Sequence, residues 1–69
     1  MAVITFDPLW KLLIDRKMSK NELAKVTGLS KSTIAKMTNG ESVTLEVVAR
    51  ICDHLRCSLS DVVEIKLDP

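Results

Sequence analysis

Residues 19–40 of this 69-residue chain spell two short helical patterns, each with its own start signal, joined by a turn that holds a glycine. Ser19 with Glu22 three positions later is a capping box, and Met18 stands where a hydrophobic staple would. Leu23, Ala24 and Val26 give the first pattern its apolar face. Gly28 ends it, because glycine reaches positive φ cheaply. Leu29 is expected to be buried in the turn. Ser30 caps the second pattern, which turns Ile34 and Met37 inward and stops at Asn39-Gly40. Two helices joined this closely must cross steeply. That crossing asks for a small residue where they touch, a glycine in the turn and an apolar anchor on the second helix. Ala24, Gly28 and Ile34 stand at those places.

Charge is concentrated on the same stretch. Between residues 16 and 39, Arg16, Lys17, Lys20, Lys25, Lys31 and Lys36 face a single acid, Glu22, giving +5. Residues 1–15 sum to −1 and residues 40–69 to −3, so the net charge of +1 conceals one basic surface on an acidic domain. A solvated lysine face is the ordinary reading of such a run. Its confinement to a helix-turn-helix points instead to DNA.

The flanks read as more helix. Asp7 before Pro8 is an N-cap with a first-turn proline, and Leu9, Leu12 and Leu13, with Trp10 beside them, predict a helix from about residue 8 to about residue 17. Thr44 caps a fourth helix whose stripe is Leu45, Val48, Ala49, Cys52 and Leu55. Ser58 with Asp61 caps a short fifth helix carrying Leu59, Val62 and Val63. The segments 2–6 and 64–67 are strand-like, and the two ends are expected to pair as a small ribbon covering the core. The fold class is therefore all-α with five helices and a two-stranded ribbon from the chain ends. The whole of residues 1–69 forms one domain.

Several function classes fall away. Apolar runs are too short for a membrane span. The first residues have neither a basic n-region nor a signal-length apolar stretch, so the chain reads as cytoplasmic. Cys52, His54 and Cys57 suggest a metal, yet residues 52 and 54 point about 200° apart on a helix, and structural zinc wants four converging ligands. Two small buried thiols in a reducing compartment are the simpler reading. His54 reads as a surface residue and Trp10 as a core or edge aromatic. No catalytic set and no phosphate-binding glycine loop is present, so an enzyme is not expected, and no cofactor is expected either.

The motifs Ser19-x-x-Glu22-Leu23-Ala24, Thr27-Gly28-Leu29-Ser30, Ser32-Thr33-Ile34 and Asn39-Gly40, followed by Leu45 to Leu55 and Cys57-Ser58-Leu59-Ser60-Asp61, together resemble the Cro/CI-type helix-turn-helix family, also called the XRE family. The resemblance covers residues 8–64. It implies a lambda-repressor-like fold and a small stand-alone DNA-binding domain that regulates transcription, with the helix-turn-helix at about 19–38. The helix from about 30 to 37 would be the recognition helix in the major groove. Lys31, Ser32 and Lys36 match base-reading positions, and Ser30 opens that helix. Lys20 matches a position that reaches the backbone or an outer base. Thr33 and Asn39 match phosphate contacts. Family members read two half-sites about 34 Å apart as dimers, so the implied partners are double-stranded DNA and a second copy of the chain, with no small-molecule effector. The dimer surface would come from the β-like ends or the apolar residues of the last two helices.

The chain departs from the family after Asn39-Gly40. Many relatives carry basic residues there; here Glu41-Ser42-Val43 follows, and Glu41 would repel a phosphate. Ala35 is short for a base reader. A protein-interaction module of the same fold, antitoxin-like or co-regulatory, is the competing reading. A nonspecific architectural protein is a third, and it lacks a wedge residue.

Overall fold

The computed structural model describes residues 2–67. In chain order these form β1 (Ala2–Thr5), α1 (Asp7–Asp15), α2 (Lys20–Thr27), α3 (Lys31–Thr38), α4 (Leu45–Leu55), a 3-10 turn (Leu59–Asp61) and β2 (Glu64–Leu67). The fold is thus four helices with a two-stranded antiparallel sheet. The expected fifth helix is a single 3-10 turn. Its Asp61 carboxylate accepts the Ser58 N–H at 3.0 Å, as a capping acid should. Only five residues separate Ser58 from β2, which leaves room for little more than one turn: the Val62 and Val63 N–H groups both donate to the Leu59 carbonyl at 3.0 Å, and Glu64 already belongs to the strand.

α1 begins one residue earlier than its sequence signal and ends two residues sooner. Asp7 is inside the helix and not its cap: the N-cap position is Phe6, which has no capping side chain, and the Asp7 N–H donates to Thr5 Oγ1 at 3.2 Å. The helix ends in a Schellman turn. Lys17 takes φ 55°, and the Met18 N–H donates to the Leu13 carbonyl at 2.9 Å. That turn folds Met18 onto the core, where the staple position wanted it.

The core gathers Phe6, Leu9 and Leu13 from the first segment, Leu23 from α2, Ile34 and Met37 from α3, Val48, Ile51 and Leu55 from α4, and Val62. Leu9, Leu23, Ile51 and Val62 are wholly buried. On α2 the stripe shifts. Val26 is 45% exposed and Thr27 only 4%. At about 100° per residue, Thr27 lies between Leu23 and Ala24 around the helix, whereas Val26 lies outside that arc. Thr27 satisfies its buried hydroxyl by donating to the Leu23 carbonyl at 2.6 Å. On α4 the buried line is Val48, Ile51 and Leu55. Leu45 and Ala49, expected on the stripe, face solvent.

The ends do pair. β1 and β2 run antiparallel with Ala2 opposite Leu67, Val3 opposite Lys66, Ile4 opposite Ile65 and Thr5 opposite Glu64. The ribbon does not cover the core, however. Apart from half-buried Thr5, every one of its residues is exposed, including Ile65 at 62% and Leu67 at 77%.

Candidate nucleic-acid interface

The start of α2 is built by reciprocal capping. Ser19 Oγ accepts the Glu22 N–H at 3.1 Å, and Glu22 Oε1 accepts the Ser19 N–H at 3.1 Å. This fixes Lys20 as the first helical residue and points the positive end of the helix dipole toward solvent beside it. The Lys20 side chain is not loose. Its ammonium sits 4.3 Å from the centre of the Trp10 ring and donates to Thr38 Oγ1 at 3.0 Å. Thr38 in turn donates to the Ile34 carbonyl at 3.0 Å. One cation therefore ties α1, α2 and α3 together. An ammonium has three donors, so it can serve Thr38 and still reach an anion.

Gly28 closes α2 in the left-handed region at φ 74°, and nothing lies within 4 Å of where a Cβ would be. Glycine is used there for its backbone freedom and not for space. Leu29, half-buried, packs against the core as the turn anchor. Ser30 then caps α3. Its Oγ accepts the Thr33 N–H at 3.2 Å and lies 3.0 Å from both Ser32 Oγ and Thr33 Oγ1. Three hydroxyls thus cluster at the N-terminus of α3.

The predicted site residues divide into two groups. Lys20 and Lys31 line one cleft of ≈ 220 Å³ between α2 and α3, together with Asn21, Ala35 and Thr38. Thr33 and Lys36 line a second depression of ≈ 340 Å³ with Ser42 and Thr44. Ser32 is exposed beside Ser30, and Asn39 is exposed at the C-cap of α3, its N–H donating to the Ala35 carbonyl at 3.0 Å. The small Ala35 leaves the cleft open between the two lysines. Behind Asn39, Gly40 at φ 76° forms a Schellman turn in which the Glu41 N–H donates to the Lys36 carbonyl at 2.9 Å. Glu41 is held near Lys36, with its side chain exposed.

Trp10, Thr38 and Ser42 belong to this surface and carried no local signal. Lys20 and Thr38 meet across 18 positions only because α2 and α3 cross. Cys52 and Cys57 are free thiols at the far end of α4, and no group of three or more metal-ligating side chains exists among the described residues.

The model of the Cro/C1-type HTH DNA-binding domain matches residues 8–68. The chain belongs to the Cro/C1-type helix-turn-helix family. Members similar to it include the crystal structure of transcriptional regulator VanUg, with 43% identity, a TM-score of 0.92, and coverage of 97% of this chain and 89% of that one. A protein of Methanoregula boonei, provisionally named an HTH-type transcriptional regulatory protein, is 36% identical over 62 residues, which is 90% of this chain. The chain spans 20% of that relative's length. The lysines just described on α2 and α3 lie within the residues that match the Cro/C1-type domain.

Proposed function

We propose that this chain is a sequence-specific reader of double-stranded DNA that regulates transcription, acting through binding and not catalysis, without cofactor or small-molecule effector, in the cytoplasm. α3 enters the major groove with Lys31, Ser32 and Lys36 toward base edges. Lys20, Thr33 and Asn39, with the capped helix N-termini, hold phosphates. Two copies read two half-sites. The observation that carries this reading is the tethering of Lys20 by Trp10 and Thr38 at the mouth of the cleft it shares with Lys31. A cation held in place on a helix pair of the DNA-binding family is preorganised for a fixed anion.

Fluorescence anisotropy against the DNA upstream of its own gene and a scrambled duplex, across a salt series, tests it. Tight binding to the first alone, falling steeply with salt, is the expected outcome. Lys36→Ala is expected to weaken specific binding by about 1–3 kcal/mol. Equal, weak binding to both duplexes would remove the claim of sequence reading at that site.

The fixed position of Glu41 favours a second reading, a protein-binding module of the same fold. On that reading, Lys31→Ala and Lys36→Ala leave function intact.

A further inference from the structure

α4 ends in a turn that brings two thiols together. With Arg56 in the left-handed conformation at φ 53°, the Cys57 N–H reaches back to the Cys52 carbonyl at 3.1 Å. That hydrogen bond makes Cys52 and Cys57 the two residues whose side chains meet across a Schellman turn, a place often filled by an apolar pair. Here both are cysteines, each a free thiol, half-buried and packed at the rim of the core. Cys52 acts directly on Cys57, as one of the groups that hold its proton on. Arg16 from the end of α1 and Asp61 from the 3-10 turn are charged groups that face Cys57. No third metal-ligating side chain joins the pair among the described residues, and two thiols alone do not make a structural zinc site.

We propose that Cys52 and Cys57 are a site of reversible oxidation, closing an intramolecular disulfide by exchange with a small-molecule disulfide such as oxidised glutathione. A disulfide needs Cα atoms about 4.4–6.8 Å apart and Cβ atoms that converge. A backbone hydrogen bond and a side-chain contact between the same two residues supply both without unwinding α4. In the first step one cysteine thiolate attacks a sulfur of oxidised glutathione, whose S–S bond breaks, and a glutathione thiolate leaves and takes up a proton. The other cysteine then gives up its proton and attacks the mixed disulfide. The Cys52–Cys57 bond forms and the second glutathione leaves. The protein loses two electrons and two protons, and oxidised glutathione is reduced to two thiols. Burial first, then Cys52, lifts the Cys57 pKa to about 11, so Cys57 is a slow opening nucleophile. Cys52 opens the exchange and Cys57 resolves it, its attack speeded because it is held beside the mixed disulfide.

The closed ring spans residues 52–57 and fixes Arg56 within it. Ser58 follows at once, its N–H held by Asp61, and the chain then passes through the buried Val62 into β2. Oxidation therefore stiffens the joint by which α4 hands the chain to the ribbon. Neither cysteine lines the depressions around Lys20, Lys31 and Lys36, so the inference stands apart from the reading of DNA.

The test takes the whole reduced chain through glutathione buffers of rising oxidised fraction, traps the remaining thiols with N-ethylmaleimide and reads the mass. Wild type is expected to pass from two maleimides to none in one step, as a monomer two hydrogens lighter, and dithiothreitol should restore both thiols. Cys52→Ser and Cys57→Ser cannot close the ring, and each should instead retain one glutathione. Oxidised wild type should unfold about 5–10 °C above the reduced chain, with its helix content unchanged by circular dichroism. A wild type that keeps both maleimides throughout overturns the proposal. So does one that accumulates glutathione adducts, links into disulfide-bonded dimers, or unfolds at a lower temperature once oxidised.

Discussion

Arg56 ends α4 in the left-handed region at φ 53°, a conformation that L side chains adopt at a cost of about 1–2 kcal/mol. Its neighbour Cys57 completes the Schellman turn by donating its N–H to the Cys52 carbonyl at 3.1 Å. Arg56→Gly is expected to stabilise the fold by about 1 kcal/mol in urea denaturation, the gain being reduced by the extra freedom of the unfolded chain. The converse applies at Gly28, where Gly28→Ala should cost about 1 kcal/mol from backbone conformation alone, because no atom obstructs the added methyl. The same turn brings Cys57 against Cys52. Burial first, then the neighbouring thiol, raises the Cys57 pKa from 9.0 to about 11. Because the folded value is the higher one, the unfolded state loses its proton first. Stability should therefore hold below about pH 9 and decline as pH rises from there toward about 11. Iodoacetamide should label Cys57 more slowly than an unperturbed thiol at pH 8, since the thiolate is the nucleophile.

At the scale of elements, α2 and α3 depend on their caps and on one cation. Ser19→Ala breaks the reciprocal cap and should cost about 1 kcal/mol of stability. Trp10→Phe keeps a ring under Lys20 but weakens the attraction. It should lower DNA affinity by about 0.5 kcal/mol in the anisotropy assay, while Trp10→Leu, which removes the ring face, should lower it further. These two helices were readable in the sequence because their signals are local: Ser19, Glu22, Gly28 and Ser30 each act on backbone groups within four residues. The buried line of α4 was read less well. Leu45 opens the helix at its exposed end, while Ile51, unmarked by the stripe, is wholly buried. The fifth helix was misread because a correct capping signal at Ser58 and Asp61 says where a turn starts and not how long it runs. Lys20 could be assigned to the surface from its charge, but its tether to Trp10 and Thr38 arises only from the crossing of three helices.

For the whole molecule, the separation of charge from apolar surface is the dominant feature. Lys20, Lys25, Lys31 and Lys36 sit on α2 and α3, while the exposed aliphatic residues Ile4, Leu45, Leu59 and Ile65 line a cleft at the ribbon. The ribbon also has a kinetic consequence. Ala2 and Leu67 are opposite each other, so β1 can find β2 only after nearly the whole chain has been drawn into a closed loop. Such closure is the slowest kind of contact to make, and this one is anchored by side chains that remain in water. The head-to-tail clasp should therefore form last and open first. Its amides should exchange with deuterium long before those of Leu23 or Ile51, while the helices beneath stay shut.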